Sequence, residues 1–561
     1  MTTTMRTNID IAQDAMARPI GEIAEKIGIE ESELVPYGRY IAKVPLNVLR
    51  RFEGRPAGKL VLMTAITPTP AGEGKTVTTI GLVQALGRMD KKVMGAIREP
   101  SLGPIFGIKG GATGGGFSQV YPMWDIDLHF TGDIHAVAAA HNLLSAILEN
   151  HISRDNALGI DPTRIMIKKA MDMNCRELRH IVVGLGGRND GGTPHESAFI
   201  ITAASEISAV LALATSMADL KNRLGKIIIA YDYKGKPVFA SQLGCVGAMT
   251  MLLKDALCPN LVQTLEGDPF FIHGFPFANI AHGNSSLLAT KYALRLADIV
   301  VTEAGFAADL GAEKFFDIVC RGKEVRPDCA VVVCSVRALK MHGGASIDQI
   351  CKGDCLTLRK GLENLDKHVE NIRKFGVPIV VAINFFDSDT TEEIGLVKKH
   401  CKDKGVRCAV SRVFTEGGKG GKELAEAVLE TLEKDPCDFK MLYASDRPLK
   451  EKIKTIATEI YGASEVVYEG EAERNLKLIE QSGFGDLPIC MAKTQLSITD
   501  NPKLKGAPRG WTLKIREIHV SAGAGFVVPI CGQMMLIPGL PSEPAAVRMD
   551  IDENGRITGL N

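Results

Sequence analysis

The chain has 561 residues, 45% apolar and 24% charged, which excludes a disordered, fibrous or collagen-like protein. Lys plus Arg and Asp plus Glu number 66 each, so there is no overall field to hold nucleic acid or an anionic membrane surface, and any bound anion must be held locally. Such a length exceeds one ordinary core and predicts about two to four domains.

The opening stretch, "MTTTMRTNIDIAQDAMARPI", lacks the continuous apolar run of a secretory signal. Thirteen cysteines are scattered without a Cys-x-x-Cys pair, which suits a reducing compartment, and a cytoplasmic location is expected. The first strong element is the apolar run Lys59 to Ile66, read as a buried strand, and behind it stands "TPTPAGEGKT", Thr67 to Thr76. A helical pattern, "TVTTIGLVQALGRM", comes next.

Strand, Gly-rich turn with Gly-Lys-Thr, then helix is the layout of a phosphate-binding loop. Glycines let backbone N–H groups converge on an anion, the helix N-terminus adds partial positive charge, and lysine adds a full one. The nucleotide would lie along Thr67, Pro68, Thr69, Pro70, Ala71, Gly72, Glu73, Gly74, Lys75 and Thr76, with Lys75 on the β and γ phosphates and the Thr76 hydroxyl on Mg²⁺. Thr69 occupies the first glycine position of the usual motif, and a Pro/Gly turn that caps a helix is the competing reading.

The next strand, "KKVMGAIRE", ends on Arg98 and Glu99. Ligands of open parallel sheets gather at the carboxyl ends of strands, so Arg98 is a candidate for the same crevice as Lys75, with a surface charge as the alternative. Gly107 to Gly116, "GIKGGATGGG", reads as backbone meant to approach a ligand closely or to move, against a plain surface loop. His129, His135 and His141 step by six, which does not keep them on one helical face, so core or hydrogen-bonded histidines outrank a metal site. "VVGLGGRND" has Asn189 where a dinucleotide fingerprint needs its third glycine and is set aside. The apolar segment from Ile207 to Ala218 is far short of the roughly 20 residues of a membrane span.

Further strands are expected at "RHIVVGLGG", "GKIIIAYDY", "ADIVVTEA", "DCAVVVCSV" and "VPIVVAINFF", all read as parallel and covered on both faces, with crossover helices such as "SLLATKYALRLA". The fold class is α/β: a large P-loop-type domain with a mostly parallel sheet over 1–360, a second α/β domain over 361–461, and a small C-terminal α/β domain over 462–561. "GGKGG" at 417 and "SAGAG" at 521 read as turns or loops. The residues by themselves reach an ATP-using α/β protein with a second anion site.

"TPTPAGEGKT", "REPSLGPIFGIKGGATGGGF", "LHFTGDIHA", "NLVQTLEG", "PFANIAHGNSS", "TEAGFAADLGAEKFFDI", "VRALKMHGG" and "IPGLPSEPAA" together closely resemble the formate–tetrahydrofolate ligase family, from about residue 8 to the C-terminus. The resemblance implies ATP-dependent activation of formate to formyl phosphate and transfer of the formyl group to N10 of tetrahydrofolate, the second substrate. It makes Lys75 and Arg98 the catalytic cations, places Mg²⁺ with ATP at Thr76, and puts a monovalent cation, potassium or ammonium, near Glu99 and Asp133. The folate ring system would lie between Phe386 and Phe414, the latter standing where the family usually has Trp. It further implies a homotetramer with small-molecule substrates and no nucleic-acid or membrane partner.

The chain departs from the family pattern at Phe275 (usually Gly), His195 (Arg), Ile200 (Asp), Trp124 (Glu) and Ala307 (Gly). These departures keep two alternatives open: a divergent paralogue serving formate or another small carboxylate and a different acceptor, and a non-catalytic ATP-binding regulator.

Overall fold

The computed structural model describes residues 6–107, 113–532 and 534–560. A 12-stranded sheet among these residues forms its centre. Eight strands carry the argument: β1 (Lys59–Ala65), β2 (Val93–Ile97), β3 (Asn260–Thr264), β4 (Pro269–Ile272), β5 (Ile299–Glu303), β6 (Cys329–Cys334), β7 (Ile379–Asn384) and β8 (Arg407–Ser411). Their order is β3-β4-β2-β5-β1-β6-β7-β8. All neighbours from β4 to β8 are parallel, and only β3 against β4 is antiparallel. β2, β6 and β7 are buried at every position, as expected of strands covered on both faces.

β1 sits where the winding reverses, with β5, β2 and β4 on one side and β6, β7 and β8 on the other. The crevice at the carboxyl ends beside such a reversal is where doubly wound sheets bind ligands. Helix α1 (Lys75–Arg88) comes after the loop that leaves β1, and its cap, Gly74, adopts φ +76°. Helix α2 (Cys355–Lys374) starts at Asp354, whose carboxylate accepts from the N–H groups of Leu356 and Thr357, and buries Leu358, Leu362, Leu365, Val369 and Ile372 on one stripe.

Three sequence expectations change here. The sheet crosses residue 360 without a break, because β7 and β8 hydrogen-bond onto β6, so the strands of 361–461 belong to the large sheet. "GKIIIAYDY" is not a parallel strand: Ile228–Asp232 pairs antiparallel with Pro237–Phe239 and Ile160–Ile165. "RHIVVGLGG" likewise pairs Ile181–Val183 antiparallel with His195–Ser197. The first turns tightly through Gly235 at positive φ, and the second returns through a glycine-rich loop, 184–194, that holds only the one-turn helix Gly187–Asp190 in place of a crossover helix.

The last hundred residues hold a separate three-stranded sheet, Glu465–Tyr468, Thr512–Ser521 and Phe526–Cys531. Its "SAGAG" turn docks on Glu206, whose Oε1 accepts from the Gly523 and Ala524 N–H groups at 2.7 and 3.3 Å. "GGKGG" forms a 3-10 turn, Gly417–Gly421, packed on α1, where a Cβ at Gly418 would stand 2.8 Å from Gln84.

Candidate active site

The loop after β1 is shaped by its own residues and by its neighbours. The Glu73 carboxylate folds back to accept from Thr69 N–H at 2.7 Å and Thr69 Oγ1 at 3.0 Å. Gly72 and Gly74 lie at φ +73° and +76°, and the Asn384 side chain at the end of β7 fills the space a Cβ on Gly74 would need.

Lys75 and Thr76, at the start of α1, both turn to the last residue of β5. Lys75 Nζ lies 3.1 Å from Glu303 Oε2, and Thr76 Oγ1 donates to the same oxygen at 3.0 Å. Burial pushes the Glu303 pKa up, but the charges of Lys75 and Arg98 and the hydrogen bonds from Lys75 and Thr76 more than offset it, so the pKa ends below the usual carboxylate range. Glu303 is thus an ionised, buried carboxylate placed between two cations.

Arg98 leaves the end of β2 into the pocket between residues 276–284 and 304–311. Its Nη1 donates to Pro276 O at 2.9 Å, and its Nε is buried without a partner. A Cβ on Gly305 would come within 2.4 Å of Ala278 Cβ and 3.0 Å of Arg98 Nη2, so only glycine lets this backbone pack against the guanidinium. His282 and Asn284 are fully or almost fully buried, and none of their side-chain N and O atoms has a hydrogen-bond partner. Burial, together with the charges of Arg98, Lys314 and Arg223, pushes His282 down to about 3, so its imidazole is neutral. Phe306, next to Gly305, holds φ +60°, a left-handed conformation that a bulky side chain adopts at a cost.

Glu99 turns away from Arg98 toward Asp133. Burial, Asp133 and Asp172 drive its pKa well above the carboxylate range, and Lys43 only partly opposes this. Asp133 is satisfied by the protein itself, accepting from Lys43 Nζ at 2.7 Å and Asn260 Nδ2 at 2.8 Å, whereas Glu99 Oε2 is buried and unpartnered.

Phe386 and Phe414 stand just past the carboxyl ends of β7 and β8, the edge that also carries the phosphate loop. The Arg337 guanidinium lies 4.2 Å from the Phe386 ring centroid, so one face of that ring is already covered. Phe414 is 44% exposed, and its carbonyl accepts from Phe117 N–H at 2.9 Å. Gly115 and Gly116 lie beside it; residues 108–112 of the expected Gly-rich loop are outside the described residues.

Among the departures, Phe275 and Ala307 are buried in the loops around Arg98. Trp124 packs edge-on to Tyr121 at 5.4 Å, and His195 bonds the Thr193 carbonyl and approaches Glu149 at 3.3 Å. Ile200 pairs with Ala170.

Sequence reasoning missed Glu303, His282, Asn284, Phe306 and Asn384. Only the position of Glu303 at the end of an apolar run, "ADIVVTEA", carried any signal.

No helix among the described residues is long and apolar enough to cross a membrane, and none of their His, Cys, Asp and Glu side chains form a metal-holding group of three or more. The family model for formate–tetrahydrofolate ligase matches residues 6–561. With that match running through the loop from Thr67 to Thr76, the surroundings of Arg98 and the C-terminal sheet alike, the chain belongs to the formate–tetrahydrofolate ligase family and is an enzyme of ATP-dependent formate–tetrahydrofolate ligation.

Proposed function

We propose that the enzyme works through formyl phosphate, and that the meeting of Lys75, Thr76 and Glu303 beside Arg98 is the observation that carries this reading. Formate has no leaving group, and its carboxylate repels the phosphate that must supply one. Cations set between the two anions lower that barrier without reorganising at the moment of reaction. Lys75 serves the γ-phosphate, and the planar fork of Arg98 serves formate and then the acyl phosphate. The buried Arg98 Nε has no partner within the protein, and the neutral His282 and Asn284, equally unpartnered, offer further hydrogen bonds to a small carboxylate. In the second step the N10 amine attacks the formyl carbon, the C–O bond to phosphate breaks, phosphate leaves, and the nitrogen loses its proton.

The Thr76 hydroxyl and the ionised Glu303 carboxylate are hard oxygen donors 3.0 Å apart and fit a Mg²⁺ carried in with ATP, which would neutralise phosphate charge. The unpartnered oxygen of Glu99 fits a monovalent cation better than Asp133, whose oxygens already hold Lys43 and Asn260. The exposed Phe414 and the free face of Phe386 serve the folate rings. Assembly as a homotetramer in the cytoplasm belongs to the same reading.

Purified protein with MgATP, formate and potassium, with and without tetrahydrofolate, tests it by monitoring ADP and 10-formyltetrahydrofolate. Equal, folate-dependent formation of both is expected. ADP without formylfolate would instead make Phe275 and Ala307 the marks of another acceptor.

A further inference from the structure

Thr67, the first residue of the phosphate loop, is 1% exposed, and each of its polar atoms is held by a side chain from outside the loop. Its N–H donates to Asn364 Oδ1 at 3.2 Å. Its Oγ1 accepts from Asn364 Nδ2 at 3.0 Å and meets His368 Nε2 at 2.9 Å. Its carbonyl accepts from His342 Nε2 at 2.8 Å. The helix Val336–His342 that carries this histidine also holds the far side of the loop, because Ser335 at its cap donates to Gly72 O at 3.2 Å.

Two of these groups reach onward to one peptide in the C-terminal third of the chain. Asn364 Nδ2 also donates to Gly506 O at 2.8 Å, and Gly506 N–H donates to His342 Nδ1 at 3.4 Å. With one ring nitrogen donating to Thr67 and the other accepting from Gly506, His342 has its neutral tautomer fixed by geometry. Burial acts the same way on both histidines, pushing each down to about 4. All of this wiring runs between groups of the protein itself, and it occupies the Thr67 N–H, hydroxyl and carbonyl alike.

We propose that Thr67 is the anchor of the phosphate loop rather than a nucleotide ligand, and that His342 and Asn364 are positioning residues that set the loop's place and couple it to the segment around Gly506. The inference rests on reading residues 67–76 as the nucleotide loop. A loop whose backbone N–H groups must converge on phosphate gains from having its root fixed before the ligand arrives. Nucleotide affinity therefore depends on a peptide about 440 residues away in sequence.

The test titrates the full-length protein with MgADP and measures kcat and KM for MgATP, formate and tetrahydrofolate. The proteins compared are the unaltered chain, His342→Leu, His342→Gln and Gly506→Ala. His342→Leu should weaken MgADP binding and raise the MgATP KM about tenfold, the scale of one lost hydrogen bond to a buried group, while the other two KM values stay put. His342→Gln, whose amide N–H can reach the same carbonyl, should recover most of the loss. Gly506→Ala puts a methyl on backbone at φ +71° and should move the same two constants in the same direction, which keeps the test alive if His342→Leu fails to fold.

Unchanged MgADP affinity in either His342→Leu or Gly506→Ala overturns the proposal. So does an equal rise of all three KM values with a lowered Tm that glutamine does not rescue. Failure of the unaltered protein to bind MgADP would sink the nucleotide-loop reading and this inference with it, an outcome distinct from normal binding that the variants leave untouched.

Discussion

Glu303 and Glu206 are both enclosed carboxylates that tie a glycine-containing loop to a neighbouring element, yet their acidities move in opposite directions. Glu303 takes a lysine, a hydroxyl and the field of an arginine at the phosphate loop, and it stays ionised. Glu206 takes only the two N–H groups of the "SAGAG" turn, while the nearby Arg223 donates to the turn's carbonyls, and burial pushes Glu206 up to about 7. Neutral dipoles recover part of the cost of desolvating a charge; full charges recover more than all of it. The difference separates a carboxylate held charged between cations from one held by backbone N–H groups alone.

The largest effect should come from removing the cation. Lys75→Ala takes away charge stabilisation of about 3–4 kcal/mol from the transition state, so turnover should drop about 10²- to 10³-fold, and near-normal kcat would refute the role. Next, Glu303→Gln keeps the shape and an acceptor for Thr76 but discards the charge. Steady-state assays should find kcat down about 10- to 100-fold, the range for a charge-assisted hydrogen bond; equal kcat would place Glu303 with Glu206 as a fastener. Arg98→Lys keeps the charge and loses the fork. The formate KM should rise about tenfold with the MgATP KM unmoved, and an unchanged formate dependence would remove Arg98 from the carboxylate.

The smallest effect is on stability. Because folding raises the Glu206 pKa, its contribution is complete below the ordinary glutamate value of 4.5 and is lost as pH climbs through about 7. Glu206→Gln should flatten that part of the Tm profile between pH 5 and 8, a change of about 2 °C or less, with activity intact. A pH profile identical to that of the unaltered protein would show that Glu206 is ionised, as Glu303 is.

The strand, glycine turn and helix around Thr67 to Thr76 were legible because these residues are contiguous and the flanking elements have ordinary periodicities. The place of Arg98 at a strand end was legible for the same local reason, standing at the end of an apolar run. Phe386 and Phe414 came only from resemblance, and the structure adds what resemblance omits, the guanidinium already covering one face of Phe386. The boundary expected near 360 falls inside a long charged amphipathic helix, α2. Its buried stripe packs against the large sheet, and the chain returns from it to add β7 and β8. The antiparallel strands at 181 and 228 were misread because a short apolar run looks alike in either pairing, and the glycine turn or crossover helix that succeeds it decides between them.

By itself the sequence determined the α/β class, the strand, loop and helix around Thr67 to Thr76 and the place of Arg98 at a strand end, all of which depend on residues close together in the chain. The tertiary structure alone decided that Glu303 faces Lys75, that Thr67 is rooted by His342 and Asn364, and that Gly506 reaches the same root. Strand order is the physical reason: β5 enters the sheet beside β1 after more than two hundred intervening residues, and such neighbours are chosen by the packing of the whole sheet.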